Sequence, residues 1–312
     1  MSLRISLRVG VLSMAAACVP AGAATLTSYN LVVTGNYSTN SHVDGRSFVN
    51  NISVQNSPVF AMHSSAGTGD TLTIAGSVTG NALHVNRGVL RTKTALPNGF
   101  TVNLNGGASR VVDPTVSIAD LASQITAASA HFASVTESTA GYGAGNIVID
   151  QEGKRINFNA SAAAAGKAAI FTLAASELSR NNLSFAFNLG SATSAIINVV
   201  GGASLNPNQG NFNGASGALA SKVLWNFASA TSLSLKSNWY GTILGPNLSV
   251  NMNNQNIDGG VYVRNLTQTG ELHDFRFVGP QPISAAPLVI PLPSAALAGL
   301  LGLAALGGRR KR

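Results

Sequence analysis

The chain has 312 residues, only 10% of them charged, with a formal net charge of +8. Six of its 19 basic residues lie at the two ends (Arg4, Arg8, Arg309, Arg310, Lys311 and Arg312), leaving 13 against 11 acids between them. A body so close to neutral lacks the electrostatic footprint of a nucleic-acid binder, and its scarcity of acids and bases argues against an enzyme and implies no cofactor.

The first 23 residues read as a secretory signal peptide. Arg4 and Arg8 precede an apolar stretch, and Ala21-Gly22-Ala23 supplies small residues for cleavage after Ala23. Cys18 is the single cysteine and would leave with the signal, so the mature chain would have no disulfide and no cysteine metal site. A lipoprotein site at Cys18 would want a branched aliphatic residue where Ala15 stands.

The body, residues 24–280, is long enough to bury a sizeable core. Short β-branched and aromatic runs recur between Asn, Gly and Ser turns: YNLVV at 29–33, TLTIAGSV at 71–78, RINF at 155–158, AIINVV at 195–200 and KVLWNF at 222–227. One stretch differs. From 117 to 135, Ile118, Leu121, Ile125, Ala128 and Phe132 recur at spacings of three and four, which predicts an amphipathic helix capped by Ser117, after a strand closed by Asp113-Pro114.

Two distant segments match. VDGRSFVNNI at 43–52 aligns with IDGGVYVRNL at 257–266, with a weaker copy, VTGNALHV, from Val78. In each, Gly45, Gly259 or Gly80 is expected to supply a turn. Similar turn-plus-strand units imply stacked rungs that bury their apolar faces against each other, with Asn ladders satisfying groups between them. The expected fold is therefore mainly β: a right-handed parallel β-helix built partly from the first hundred residues and partly from the last hundred, with the helix along its side. A β-sandwich adhesin is the alternative.

Few residues could carry chemistry. Glu271 and His273 share a strand face with Asp274 opposite, and two ligands are too few for a metal site, so a structural pairing is expected. Asp44 and Asp258 are expected to bond their own turns, a Ca²⁺ site arising only if stacking sets them side by side. His42, His63, His84 and His131 form no ligand spacing. Asp150 and Glu152 would share a strand face too closely for the usual glycosidase geometry to be assumed. Trp225, Trp239 and Tyr240 are expected to fill the core, the alternative being a sugar-stacking platform. An ice-binding face would need rows of Thr, of which Thr71/Thr73 and Thr267/Thr269 are isolated cases.

After a linker at 281–290, residues 291–312 form a three-part tail: Pro291, Leu292, Pro293, Ser294, Ala295; an apolar run; and the basic stop Arg309, Arg310, Lys311, Arg312. From Ser294 to Gly308 a helix would reach only ~22 Å, against a hydrocarbon core of about 30 Å. Extension back to Leu288 reaches spanning length, with the basic end held in the cytoplasm. This tail resembles the VPLPA-type variant of the PEP-CTERM sorting signals, with Ile290 where Val is usual and Ser294 interrupting the Pro-Ala step. The resemblance implies transient inner-membrane insertion and an exosortase-type membrane peptidase as partner, with a permanent anchor as the alternative.

Across the body, YNLVVTGNYSTNSHVDGRSFV, AIINVVGG, KVLWNFASATSLSLKSNWYGTILGPNLSV, NIDGGVYVRNL and GELHDFRFVG resemble the choice-of-anchor A domain, from Tyr29 to Gly279. Gly245 before Pro246-Asn247, where Ala is commoner, and Gly260, where Gln is frequent, depart from it. The resemblance implies a β-helical adhesive domain related in outline to ice-binding β-solenoids, with Asp44, Gly45, Trp225, Asp258, Gly259, Glu271 and His273 as structural signature positions. The expected function is adhesion or structure at the cell surface or in an extracellular polysaccharide matrix. A polysaccharide-active enzyme on the same scaffold and an ice binder are the alternatives.

Overall fold

Short β-branched runs punctuated by Gly and Asn cannot each bury an apolar face alone, and here they stack sideways. The computed structural model describes residues 25–63, 69–207, 211–213 and 217–282. The expected signal peptide with Cys18, Ala21 and Ala23 and the sorting tail from Pro291 to Arg312 lie outside these. No helix among the described residues is long and apolar enough to cross a membrane.

A helical turn, α1 (Thr25–Ser28), precedes β1 (Leu31–Thr39), β2 (Ser47–Val54), β3 (Val59–Phe60), β4 (Asp70–Ile74), β5 (Val78–Gly80), β6 (Ala82–Val85), β7 (Val89–Thr92), β8 (Thr101–Leu104) and β9 (Ser109–Val112). Helix α2 (Ala119–Ser134) leads to β10 (Tyr142–Ile149) and β11 (Arg155–Ala160), an antiparallel pair. There follow β12 (Ala168–Ala174), β13 (Ser184–Asn188), β14 (Ser194–Val200), β15 (Ser204–Leu205) and β16 (Asn211–Phe212). A second helical turn, α3 (Gly217–Ala220), introduces β17 (Val223–Asn226), β18 (Ser232–Ser234), β19 (Trp239–Tyr240), β20 (Thr242–Asn251), β21 (Ile257–Asp258), β22 (Val261–Gln268) and β23 (Leu272–His273).

Spatial order departs from chain order in one informative way. β1 lies between β2 and β22, parallel to both, with Val32 opposite Phe48 on one side and Tyr262 on the other. From β2 the sheet continues through β4, β7 and β9; from β22 it continues through β20, β17, β14 and β12. The first and last parts of the body thus share one large, mostly parallel sheet. That parallel pairing replaces the antiparallel sheets of the sandwich alternative.

The segments at 43–52 and 257–266 occupy equivalent places two strands apart: Ser47, Leu31 and Val261 are in register, as are Val49, Val33 and Val263. The copy at Val78 does not. Val78 pairs with Ile52, and β6 crosses to a different wall beside β3. A short Gly-containing match carries too little information to fix its place in the sheet.

The long strands turn a corner. In β1 the register shifts between Val33 and Asn36, and in β20 between Gly245 and Ser249. The close approach at this corner demands glycine at Gly35, where a Cβ would lie 2.8 Å from the Arg264 carbonyl oxygen and 2.5 Å from Asn265 Oδ1. Each long strand thereby has a first arm and a second arm. A further wall is formed by β19, β21 and β23 and by β3, β6 and β8, joined through Val43, which bridges to both Leu272 and Phe60.

All these walls contribute to one core. Val33, Val49 and Val263 come from the first arms, Tyr37, Ile52 and Leu266 from the second, and Phe60, Leu272 and Trp239 from the further wall. Trp225 and Trp239, with ring centroids 5.0 Å apart, anchor an aromatic cluster with Phe158, Phe185 and Phe212. A separate apolar layer lies between sheet and helix: Ile125, Ala128 and Phe132 of α2 are buried with Val32, Ile196, Leu224, Leu244 and Tyr262, while Ile118 and Leu121 are half-buried. Ser117 Oγ accepts the Ala119 N–H at 3.2 Å, although Ile118 holds the position immediately before the helix.

Polar groups fix that helix in place. Asn226 Nδ2 donates to the Ser129 carbonyl (2.9 Å) and to Asn198 Oδ1 (2.8 Å), and Asn198 Nδ2 donates to the Phe132 carbonyl (2.8 Å). A buried asparagine pair thus satisfies the Phe132 carbonyl, one of the last four of α2, where intrahelical donors run out, and adds a donor to the Ser129 carbonyl one turn earlier.

Candidate functional site

The second arms present the molecule's open polar face. Alternation puts Leu205, Leu233, Val250, Leu266, Tyr37, Ile52 and Val78 inside, so the residues flanking them point outward. One outward row runs Ser204, Ser232, Ser249, Asn265, Asn36, Asn51 and Ser77 across seven successive strand positions. The next runs Ser234, Asn251, Thr267, Ser38, Ser53 and Thr79. Neither row carries a charged side chain, and every member reaches solvent.

The two rows differ in their bonding. In the first, Asn265 Nδ2 donates to Ser249 Oγ (2.9 Å), Asn265 Oδ1 accepts from the Asn36 N–H (2.9 Å), and Asn51 Nδ2 donates to Asn36 Oδ1 (3.1 Å). Asn51 Oδ1 then accepts from the Ser77 N–H and hydroxyl. This ladder locks the side chains along the stack. In the second row, Thr267, Ser38 and Ser53 make no side-chain hydrogen bond within the described residues, so their hydroxyls remain able to donate and accept. A shallow groove of about 450 Å³ lies over both rows, lined among others by Asn36, Ser38, Asn51, Ser53 and Thr267.

Beneath this face, buried groups tie the strands together. Gln268, 1% exposed, accepts from the Tyr37 hydroxyl and from Thr39 Oγ1 (2.9 Å), and donates to the carbonyls of His42 (2.7 Å) and Gly270 (2.9 Å). Burial holds the Tyr37 hydroxyl well above its usual pKa, so it stays a donor. Asn30 is fully buried and bridges the matched segments: it donates to the Gly259 carbonyl (2.9 Å) and the His273 carbonyl (3.2 Å) and accepts from the Gly45 N–H (3.2 Å). Gly45 and Gly259 are required by close approach. A Cβ on Gly45 would lie 2.5 Å from Asn30 Cβ and 2.7 Å from Asp274 Cγ, and one on Gly259 would run into the Gly241 carbonyl.

Asp44, Asp258, Glu271 and His273 gather on the further wall. His273 Nδ1 lies 2.6 Å from Asp258 Oδ1, and its Nε2 lies 3.1 Å from Glu271 Oε2. The hydrogen bond to Asp258, reinforced by Glu271, pushes the His273 pKa up to about 9. Asp44 is met by His63, Nδ1 to Oδ1 at 2.6 Å. The expectation that Asp44 and Asp258 bond their own turns is therefore corrected, because each carboxylate takes a histidine from elsewhere in the chain. That His63 would meet a carboxylate was not readable, since residues 44 and 63 come together only across the wall. Asp44 and Asp258 are separated by the His273 strand, and among the described residues no group of three or more His, Cys, Asp or Glu side chains is arranged to hold a metal ion. Arg276 Nε sits 2.7 Å from Asp274 Oδ1 at an angle that makes no hydrogen bond, leaving the buried Asp274 carboxylate neutralised by charge alone.

The remaining expected positions separate from this face. Trp225 and Trp239 are buried, and Tyr240 is half-buried with its ring 5.2 Å from Phe212, which removes the sugar-stacking platform. Asp150 and Glu152 lie in the turn between β10 and β11: Asp150 accepts the Lys154 N–H (2.7 Å), and Glu152 pairs with Lys154 Nζ (2.9 Å). The chain reverses at Gly153, so these acids share no strand face. Thr71 and Thr73 are buried, whereas Thr267 belongs to the outward row and Thr269 Oγ1 accepts the Asn254 N–H (2.7 Å). His84 and Asn103 pair on the further wall at 3.3 Å, and His131 contacts the Tyr142 hydroxyl at 3.0 Å.

Among curated proteins and among solved structures, nothing matches the chain. Residues 22–274 match the family described as "Putative Ice-binding-like adhesive domain", and a match over so much of the chain makes the protein a member of that adhesive-domain family.

Proposed function

We propose that the protein is a non-enzymatic adhesive or structural component of the cell surface or extracellular matrix, and that it makes contact through the paired rows on its second arms. The observation that carries this reading is the face itself: two uncharged polar rows held on a rigid parallel stack, one of them already zipped by its own amides. Membership of an adhesive-domain family supports it, as does the engagement of Asp44, Asp258 and Glu271 by histidines and of Asp150 by its own turn. A glycosidase needs a spaced, substrate-facing pair of carboxylates. The mixture of Ser, Asn and Thr, rather than regular Thr, favours a polymer over ice.

The same proposal takes the corner-turning strands as the walls of a right-handed parallel β-helix of the choice-of-anchor A type. The PEP-CTERM-like tail supports export through the inner membrane and handling by an exosortase-type peptidase. Incubating the full chain with extracellular polysaccharides, followed by product analysis, tests the function: binding without cleavage is expected, and release of oligosaccharides would overturn it. Mass spectrometry of the native protein tests the tail, with loss of the residues after the Pro291-to-Ala295 motif expected; a chain ending at Arg312 would establish a permanent anchor.

A further inference from the structure

Resting on the adhesive reading, we infer that the ligand is an extended, neutral, β-linked polysaccharide lying across the strands along the two outward rows. The rows define its chemistry. Without charge, they offer nothing to neutralise a polyanion. Without an exposed aromatic or aliphatic anchor, they lack the buried centre on which protein partners depend. The free hydroxyls of Thr267, Ser38 and Ser53 are neighbours on successive strands, each able to donate and accept, and sugar hydroxyls require such partners.

The rows also define its shape. Strand spacing repeats these positions every ~4.8 Å, and the two rows stand about 6.7 Å apart, twice the rise per residue. That repeat is close to the advance per sugar of an extended β-linked pyranose chain, so successive sugars meet successive rungs. The groove over Asn36, Ser38, Asn51, Ser53 and Thr267 has a counterpart of about 370 Å³ where Ser204 ends the first row beside Gly201 and Gly202. Ser232 and Ser249 connect the two depressions in register. The locked Asn ladder keeps the track straight, and with no stacking platform, affinity must accumulate along the chain rather than at one sugar.

Affinity electrophoresis of the full chain in gels containing hydroxyethylcellulose or alginate, with titration by cello-oligosaccharides of increasing length, tests this. Retardation by the neutral polymer alone is expected, with affinity rising at each added sugar. The Ser38→Ala/Ser53→Ala/Thr267→Val variant should bind at least about tenfold more weakly at an unchanged melting temperature. Ser53→Thr, which keeps the hydroxyl, and Asn103→Ala on the further wall should bind normally. Retardation by alginate alone, thermal hysteresis without polymer binding, or neutral-polymer binding indifferent to the triple variant would each overturn the inference. In those three cases, adhesion to matrix material by the full chain would leave the broader proposal standing; failure to adhere to any matrix polymer would remove both.

Discussion

The first and second arms of the long strands are built on the same backbone ladder, yet their outward sides are chemically opposite. Under α2 the outward residues are Val32, Ile196, Leu224, Leu244 and Tyr262, all buried; beyond the corner they are Asn, Ser and Thr, all wet. Coverage explains the first arm, because a helix with an apolar stripe needs an apolar partner. The second arm has no described element over it, and its lack of charge is unusual for a bare surface, where Lys, Glu, Arg and Asp ordinarily collect. The lesson is that a bare face without charge marks the surface kept for contact.

Substitutions that exchange the character of the arms should break them unequally. Leu244→Asp places a carboxylate in the dry layer beneath α2 and should cost roughly 3–5 kcal/mol or prevent folding, measured by urea denaturation. Asn226→Ala leaves Asn198 Oδ1 and the Ser129 hydroxyl without their partner in a buried layer, and should lose about 2–3 kcal/mol in the same assay. A pH series probes the further wall. Because the folded-state pKa of His273 lies above its unfolded value, its stabilisation is complete below pH ~6.5 and is lost as pH rises through about 9. The loss should be about 1–2 kcal/mol, moderated because solvent reaches the pair, and it should vanish in His273→Asn. Smallest in stability is Ser53→Asp on the open arm, within about 0.5 kcal/mol of the parent, although it should abolish adhesion.

How much of this was readable depended on direction. Helix α2 was legible because its apolar stripe runs along the chain, and the matched Asp-Gly segments were legible because each is a contiguous string. The polar rows run across the chain, drawing one residue from each of seven separated strand positions in the first row and six in the second, so no window of sequence contains them. In the sequence Thr267 stands without a row of neighbours; Ser38 and Ser53 become its neighbours only because β1 inserts between β22 and β2. Asn30 was equally silent, since its partners at Gly45, Gly259 and His273 lie as far as 243 positions away. The Asp150 turn, by contrast, had a visible signal in Gly153 that was outweighed by the preceding strand pattern.

Steric blocking tests the assignment of contact to the open arm most directly. In a Cys18→Ser background, Ser53→Cys and, on the exposed side of α2, Ala127→Cys would each receive a bulky maleimide label before adhesion to matrix polysaccharide is measured. Adhesion should disappear for the label at position 53 and persist for the one at 127; persistence at 53, or loss only at 127, would contradict the account.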